Sequence, residues 1–421
     1  MKSIGFYVLL IAIDLIISCT KIKELATLST NIASNPTVNS VTSGGNITNS
    51  GGADILARGV CWSTSQGPTI SGSHTSEGTG SGSFISNIAG LTPGTIYYIR
   101  AYATNSVGTA YGNEVAFITD PVVLATISTL AVTGISPTTA TSGGNISNNG
   151  GGDITERGVC WATTENPTIS NSKTSDGAGS GLYNSSLTGL SEGEEYYVRS
   201  FATNNAGTAY GGQISFTTSI SDVEGNIYRT VKIGPQIWMV DNLRTTKFTD
   251  NNPIPLITDQ IEWNILTSPG YCLYDNDRLN GTIYGVLYNW NAVDTWKLCP
   301  TGWHVPSYNE WAVLRDFLAD YSVAGGKLKS TGTIEKGDGL WFSPNDGATN
   351  ETGFTALPAG VRLNNNFGFI SLNRLGAWWG SDIVSSQTTA AYAMWLMSDY
   401  SDMTISFMRR EDGLSVRCVK Y

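Results

Sequence analysis

The amino-acid sequence predicts a multidomain protein, two tandem all-β sandwiches followed by an α+β domain. Three observations carry that prediction. Leu25-Ala26-Thr27 recurs as Leu124-Ala125-Thr126, Ser43-Gly44-Gly45-Asn46-Ile47 as Ser142-Gly143-Gly144-Asn145-Ile146, and Arg58-Gly59-Val60-Cys61-Trp62 as Arg157-Gly158-Val159-Cys160-Trp161, always at an offset of 99 residues. A repeat of that length matches one sandwich domain and exceeds a solenoid repeat. Within each copy the pattern has period two and no helical period appears. From Val223 onward the character changes: 10 of the 12 tryptophans lie there, together with one strongly capped helix.

The elements follow in chain order. Lys2 and the apolar run from Ile4 to Ile17 read as an export signal over residues 1–18, too short and interrupted for a membrane span. It ends Leu15-Ile16-Ile17-Ser18-Cys19, which resembles a bacterial lipobox. Cys19 is then the lipid anchor, residues 19–24 a short tether, and the mature protein is held at a membrane by acyl chains.

Residues 25–121 and 122–219 form the two sandwiches. In Tyr97-Tyr98-Ile99-Arg100-Ala101-Tyr102-Ala103-Thr104, the set Tyr97, Ile99, Ala101 and Ala103 shares one face, and Tyr98, Arg100 and Tyr102 share the other. Asn105-Ser106-Val107-Gly108 supplies a turn before the chain returns, and the second copy repeats it at Asn204-Asn205-Ala206-Gly207. This hairpin resembles the late hairpin of fibronectin type III and related immunoglobulin-like sandwiches. Cys61 and Cys160 occupy one equivalent strand position and read as small buried residues beside a tryptophan. Arg58 and Arg157 point to the opposite strand face.

The third domain spans residues 222–421. Asp222 to Tyr228 reads as a turn, and Thr230 to Met239 as a hairpin about Gly234-Pro235. Ser307-x-x-Glu310 is a capping box, with Trp311, Leu314 and Leu318 on one face and Phe317 and Tyr321 widening it, so residues 307–321 are read as a helix. His304 lies in the lead-in, with no chemical partner visible in the sequence.

Composition excludes several functions. Charged residues make up 14% of the chain and the net charge is −10, which argues against a nucleic-acid partner. There are two histidines, His74 and His304, and no Cys-x-x-Cys pair, so a histidine-rich metal site, a zinc ribbon or a redox motif has no support.

Several motifs together resemble the Fibrobacter succinogenes major paralogous domain. They are Thr230 to Leu243, Tyr271-Cys272-Leu273-Tyr274-Asp275-Asn276-Asp277, Tyr284 to Trp290, Leu298 to Trp311, Ala324-Gly325-Gly326-Lys327-Leu328-Lys329, Thr349 to Pro358, Trp378-Trp379-Gly380-Ser381 and Asp412 to Cys418. Leu273 and Gly380 depart from the pattern. The resemblance implies an exported bacterial protein with no agreed activity. It also implies a C-type-lectin-like fold of the formylglycine-generating-enzyme branch, without that branch's paired active-site cysteines. In such a fold the helix entry and the closing strand meet, which implies a Cys299–Cys418 disulfide; a Cys272–Cys299 pairing is the alternative.

Candidate site residues fall into three groups. Asp275, Asp277 and Asn280 are weak calcium candidates, since calcium takes oxygen ligands from such turns, but Leu279 breaks EF-hand spacing. Asn345 and Asp346 form a second oxygen-rich patch with Asn350 and Glu351. Trp341 and Trp395 are aromatic platforms for sugar rings, with Asn364, Asn365 and Asn366 as polar partners, while Trp378 and Trp379 read as core. No catalytic residue and no cofactor is expected. The sequence thus reads as a non-enzymatic, outer-membrane lipoprotein of the bacterial cell envelope, periplasmic or surface-exposed. It would display a lectin-like domain on sandwich spacers and bind a polysaccharide. The alternatives are adhesion to another envelope protein and, more remotely, a polysaccharide-acting enzyme.

Overall fold

A computed structural model describes residues 22–365 and 367–421; the export signal, Cys19 and Asn366 lie outside the described residues. The chain divides into two compact units, the described part of Met1–Leu124 with Gly150–Gly152, and Ala125–Asn149 with Asp153–Tyr421.

The first unit contains β1 (Thr27–Thr30), β2 (Ser40–Asn49), β3 (Ala57–Ser63), β4 (Ser73–His74), β5 (Gly82–Ala89), β6 (Ile96–Thr104), β7 (Thr109–Tyr111) and β8 (Val115–Ile118). One antiparallel sheet runs β1-β2-β5 and the other β4-β3-β6-β7, with β8 also on β6. Val41, Ile47, Phe84 and Ile88 from one sheet meet Val60, Tyr97, Ile99, Ala101 and Ala103 from the other. This is the face assigned from the alternation. Gly45 permits the close approach of the sheets, since a Cβ there would lie 2.6 Å from the Ala101 Cβ. The Tyr97 hydroxyl accepts from the Thr92 amide at 3.1 Å, five residues upstream. Such a bond is the tyrosine corner of immunoglobulin-like sandwiches. Cys61 faces away from the core; its Sγ sits 3.3 Å from Pro68 O, fully buried under that loop.

The second sandwich repeats this with β9 (Thr126–Thr129), β10 (Thr139–Asn148), β11 (Glu156–Ala162), β12 (Ser172–Lys173), β13 (Gly181–Thr188), β14 (Glu195–Asn204), β15 (Gly207–Tyr210) and β16 (Ile214–Thr217). The sheets are β13-β10-β9 and β12-β11-β14-β15, with β16 on β14. Tyr196 repeats the corner, its hydroxyl accepting from Ser191 N at 3.0 Å.

This sandwich and the C-terminal domain form one unit. Thr217 Oγ1 donates to Thr230 O at 2.9 Å and Thr230 Oγ1 to Thr218 O at 2.8 Å. Lys232 pairs with Glu195 at 2.6 Å, and Lys420 with Glu194. Ile220, just past the sandwich, is 1% exposed and joins the core of the next domain.

The C-terminal domain begins with β17 (Ile220–Ser221) and β18 (Ile227–Tyr228), which pair across the Asp222 turn. Then β19 (Thr230–Ile233) and β20 (Gln236–Met239) form the expected hairpin, with Ile233 opposite Gln236. Next come α1 (Gln260–Asn264), β21 (Tyr271–Cys272), α2 (Arg278–Tyr284), β22 (Leu287–Tyr288), α3 (Trp290–Val293), β23 (Trp303–His304), α4 (Tyr308–Phe317) and α5 (Tyr321–Leu328). The chain ends with β24 (Val361–Arg362), β25 (Phe369–Ile370), β26 (Leu375–Val384), β27 (Gln387–Met397), β28 (Thr404–Arg409) and β29 (Val419–Lys420). The closing strand β29 inserts between β20 and β23, so the ends of the domain share one sheet.

The three-stranded sheet β26-β27-β28 separates two cores. Ala377, Trp379, Ala391 and Ala393 face one, and Trp378, Met394 and Leu396 the other. Helix α4 starts with the capping box as expected and buries Trp311 and Leu314. Two details differ from the sequence reading. The helix stops at Phe317, and Asp320 caps a separate α5. Phe317 and Tyr321 are 57% and 65% exposed, because the stripe facing the core is only as wide as Trp311, Leu314 and Leu318.

Candidate functional site

The structure separates the sequence-predicted site residues. Trp341, read as an exposed sugar platform, is instead fully buried with Trp238, Trp311 and Phe354. Its Nε1 donates to Ser330 Oγ and Ala356 O, both at 3.1 Å. The turn-rich composition around it misleads because the loop folds back on itself: Ile334 N donates to Trp341 O at 2.9 Å, and Gly339 packs on Gly332. Asn345 is likewise buried, its Nδ2 tying Ser330 O and Gly332 O at 3.0 and 2.9 Å. Neither side chain reaches a surface ligand.

The weak calcium set is also occupied with structure. Asp277 Oδ1 caps α2 by accepting from Leu279 N at 2.9 Å, and Asn280 turns its Nδ2 onto Tyr274 O at 3.2 Å. Among the described residues no cluster of three or more His, Cys, Asp or Glu is placed to hold a metal ion. Asn364 donates from Nδ2 to Asn264 O at 3.1 Å, and Asn365 Oδ1 accepts from Phe367 N. Asn365 lines a cleft with Gln387, Thr389, Phe407 and Arg409, toward the far end of β27 from Trp395. Six strand residues, about 20 Å, separate Trp395 from Thr389.

Cys299 and Cys418 form a disulfide with Cα atoms 6.0 Å apart, and Cys272 is free and buried. Burial pushes the Cys61 and Cys160 thiols up to about 11 and the Cys272 thiol up to about 12, so all three remain protonated and unreactive at neutral pH. His304, without a partner in the sequence reading, has one. Its Nε2 lies 2.7 Å from Glu310 Oε1, and Tyr421 stacks on its ring at 4.2 Å. Burial alone would raise the Glu310 carboxyl; the hydrogen bonds from His304 and Ser307 outweigh it and hold the carboxyl below its ordinary value. Glu310 therefore both closes the capping box and orients the histidine.

Of the predicted residues, Trp395 lines a cleft, and Asp346 supports the loop beside it through its backbone. Trp395 stands half-buried on β27, opposite Thr404 of β28. With Met397, Tyr400, Asp402 and Thr404 it lines a cleft of about 350 Å³. Tyr400 is 59% exposed. The loop carrying Tyr400 and Asp402 is pinned from below by the segment Ala324 to Lys329. Gly325 and Gly326 let backbones meet there: an added Cβ would lie 2.1 Å from Asp402 O and 2.3 Å from Gly347 O respectively. Lys329, buried at the C-terminal end of α5, donates from Nζ to Met397 O at 3.0 Å and Tyr400 O at 2.8 Å. Asp346 N donates to Ser398 O at 2.8 Å, fixing the start of the same loop.

The electrostatics follow from burial. Desolvation lowers the Lys329 amine to about 8, against Asp346, Asp402 and Asp399, which favour its charge. Of these three carboxylates, Asp402 lines the cleft. A cleft with aromatic rings, a carboxylate and a hydroxyl can stack on the apolar face of a pyranose and accept hydrogen bonds from its hydroxyls. The sequence reading missed Tyr400, Asp402 and Thr404. The available signal was the turn Ser398-Asp399-Tyr400-Ser401-Asp402, set between a Trp-bearing strand and Thr404.

Residues 231–420 match the model of the Fibrobacter succinogenes major domain. Among solved structures, the chain is similar to the sensor domain of the anti-sigma factor RsgI4 of Pseudobacteroides cellulosolvens, at 16% identity over 23% of this chain and 97% of that one, with a TM-score of 0.19. It is also similar to the FN1-FN3 domains of chicken CNTN1, at 12% identity over 47% of this chain and 69% of that one, with a TM-score of 0.21. At such TM-scores these likenesses carry no argument about fold or function. No curated protein matches the chain.

Proposed function

We propose that this protein is a non-enzymatic component of the bacterial cell envelope, anchored through Cys19, that recognises a neutral polysaccharide with its C-terminal, C-type-lectin-like domain. The carrying observation is the cleft that joins Trp395 and Tyr400 to Asp402 and Thr404 on a loop fixed by Lys329. A pre-formed, partly apolar concavity with a few fixed polar groups is the usual form of a small-ligand site. The Asp402 carboxylate in the lining favours neutral sugars over acidic ones through like-charge repulsion. No metal takes part in this recognition. The disulfide fits an oxidising compartment, and among the described residues no helix is long and apolar enough to cross a membrane.

A glycan array probed with the full chain tests the proposal. Binding to a neutral polysaccharide is expected, unchanged by a chelator and weakened about tenfold or more by Tyr400→Ala or Asp402→Asn, the range for losing one stacking or charged contact. Retention of full binding in both variants, or no binding to any glycan, would sink it.

A further inference from the structure

A second cleft lies elsewhere in the C-terminal domain and has the opposite electrical character. It measures about 570 Å³ and is lined by Arg244, Thr246, Tyr271, Leu273, Arg278, Gly281, Thr282 and Val286. We infer that this cleft is a binding site for an acidic saccharide, whose carboxylate sits against Arg244 and Arg278 while its ring lies over Tyr271 and Leu273.

Charge is the first argument. In a chain of net charge −10, a concavity holding two arginines and no carboxylate among its lining residues is unusual. No ion pair among the described residues involves either arginine. An arginine without a carboxylate partner can take up one from a ligand, Arg278 with its fork and Arg244 with its remaining Nη1.

Pre-organisation is the second. Arg244 is held in place by Nε to Asn226 Oδ1 at 3.3 Å and Nη2 to Ile227 O at 3.0 Å, and its guanidinium stacks on Tyr228 at 5.0 Å. These bonds leave Nη1 without a hydrogen-bond partner among the described residues. Arg278 is exposed at the start of α2. Arg244, already held, costs little ordering entropy when an anion arrives, whereas the exposed Arg278 is ordered on binding.

The third is the floor. Tyr271 is half-buried, and burial, then the nearby Glu224 charge, raises its phenol, so it stays a neutral hydroxyl. With Leu273 and Val286 it offers an apolar and aromatic surface, flanked by the hydroxyl of Thr282. That mixture fits a sugar ring bearing an acid better than a bare inorganic anion.

Of the neighbouring acids, Glu224 is bonded beside the cleft, to the lining residue Thr246. Glu224 accepts from Thr245 Oγ1 at 3.1 Å and Thr246 Oγ1 at 2.8 Å, and these bonds, against the effect of burial, hold its carboxyl down. Asp277 caps α2. Asp275 carries a carboxyl raised first by burial and then by Asp277. None of the three lines the cleft.

This assignment does not need the neutral-glycan reading, and the two fail separately. The test is calorimetric titration of the full chain with an oligogalacturonate, its methyl ester and inorganic phosphate. The oligogalacturonate is expected to bind, with affinity falling as salt rises. The ester is expected to bind about tenfold more weakly or worse, and Arg278→Gln to lower oligogalacturonate affinity by about the same factor. Arg278→Lys should restore part of the affinity, which a damaged fold could not. Equal binding of acid and ester, unchanged affinity in both Arg278→Gln and Arg244→Gln, or phosphate binding as tightly as the saccharide would each overturn the inference. So would the absence of oligogalacturonate binding at low salt.

Discussion

At the residue scale, the C-terminal domain buries cations among rings and carbonyls. Arg417 is fully buried: Nε donates to Asn242 Oδ1 at 2.8 Å, Nη2 to Thr355 O at 2.8 Å and Nη1 to Phe354 O, and the Phe354 ring lies 4.2 Å from its Cζ. Burial lowers its guanidinium to about 9, against the opposing charge of Asp241. Arg362 is held the same way between Trp263 and Phe369, at 4.6 and 4.8 Å. These arginines are structural, and nothing in their sequence context marks them so. Lys329 is the buried cation closest to the candidate site. Its folded value of about 8 lies below the ordinary 10.5, so between those values the unfolded chain binds more protons and stability rises with pH. Unfolding measured from pH 8 to 10.5 should show that rise in the wild type, worth up to about 3 kcal/mol, and lose it in Lys329→Met. Trp341→Ala should cost about 3–5 kcal/mol as a core cavity. Tyr400→Ala, at an exposed ring, should change stability by under about 0.5 kcal/mol. A denaturant melt that ranked these two in reverse would contradict their assigned places.

At the element scale, local chemistry set the ends and tertiary packing set the exposure. The α4 capping box was legible because Ser307 and Glu310 meet across three residues regardless of context. Ser307→Ala should cost about 1 kcal/mol by denaturant melt. Removing the Glu310 carboxylate also releases His304. Because Glu310 has a lowered folded value, its contribution is full above its unfolded value and is lost as pH falls through the folded one. The hairpin about Gly234-Pro235 and the paired strands of both sandwiches were legible for the same local reason. The role of Ala324-Gly325-Gly326-Lys327-Leu328-Lys329 was not. Its glycines matter because of Asp402 and Gly347, which lie far along the chain. Gly325→Ala should displace the Tyr400 loop and weaken neutral-glycan binding along with stability; a variant that melts and binds like wild type would remove α5 as the support of that loop.

At the scale of the whole molecule, three domains are carried in two compact units. The second sandwich shares hydrogen bonds, ion pairs and the Ile220 side chain with the C-terminal domain. Calorimetry should therefore resolve two transitions, and the second sandwich should melt with the C-terminal domain. The Cys299–Cys418 bridge spans 119 residues, a loop whose closure is worth about 4–5 kcal/mol in the chain-entropy model. Reduction, or Cys299→Ser with Cys418→Ser, should lower the transition of the larger unit and leave the first sandwich unmoved, since Cys61 is its only described cysteine and is free. A single shared transition would show instead that the units are coupled.

The sequence by itself determined the repeat, the strand faces, the hairpin turns and the helix cap, because each depends on residues a few positions apart. Only the tertiary structure decided which tryptophans face solvent. Trp341 and Trp395 sit in similarly mixed local sequence, yet one closes a core and the other lines a cleft. Exposure depends on what arrives from distant segments, and in this domain those segments are brought in by a closing strand and a bridge formed at the end of the chain.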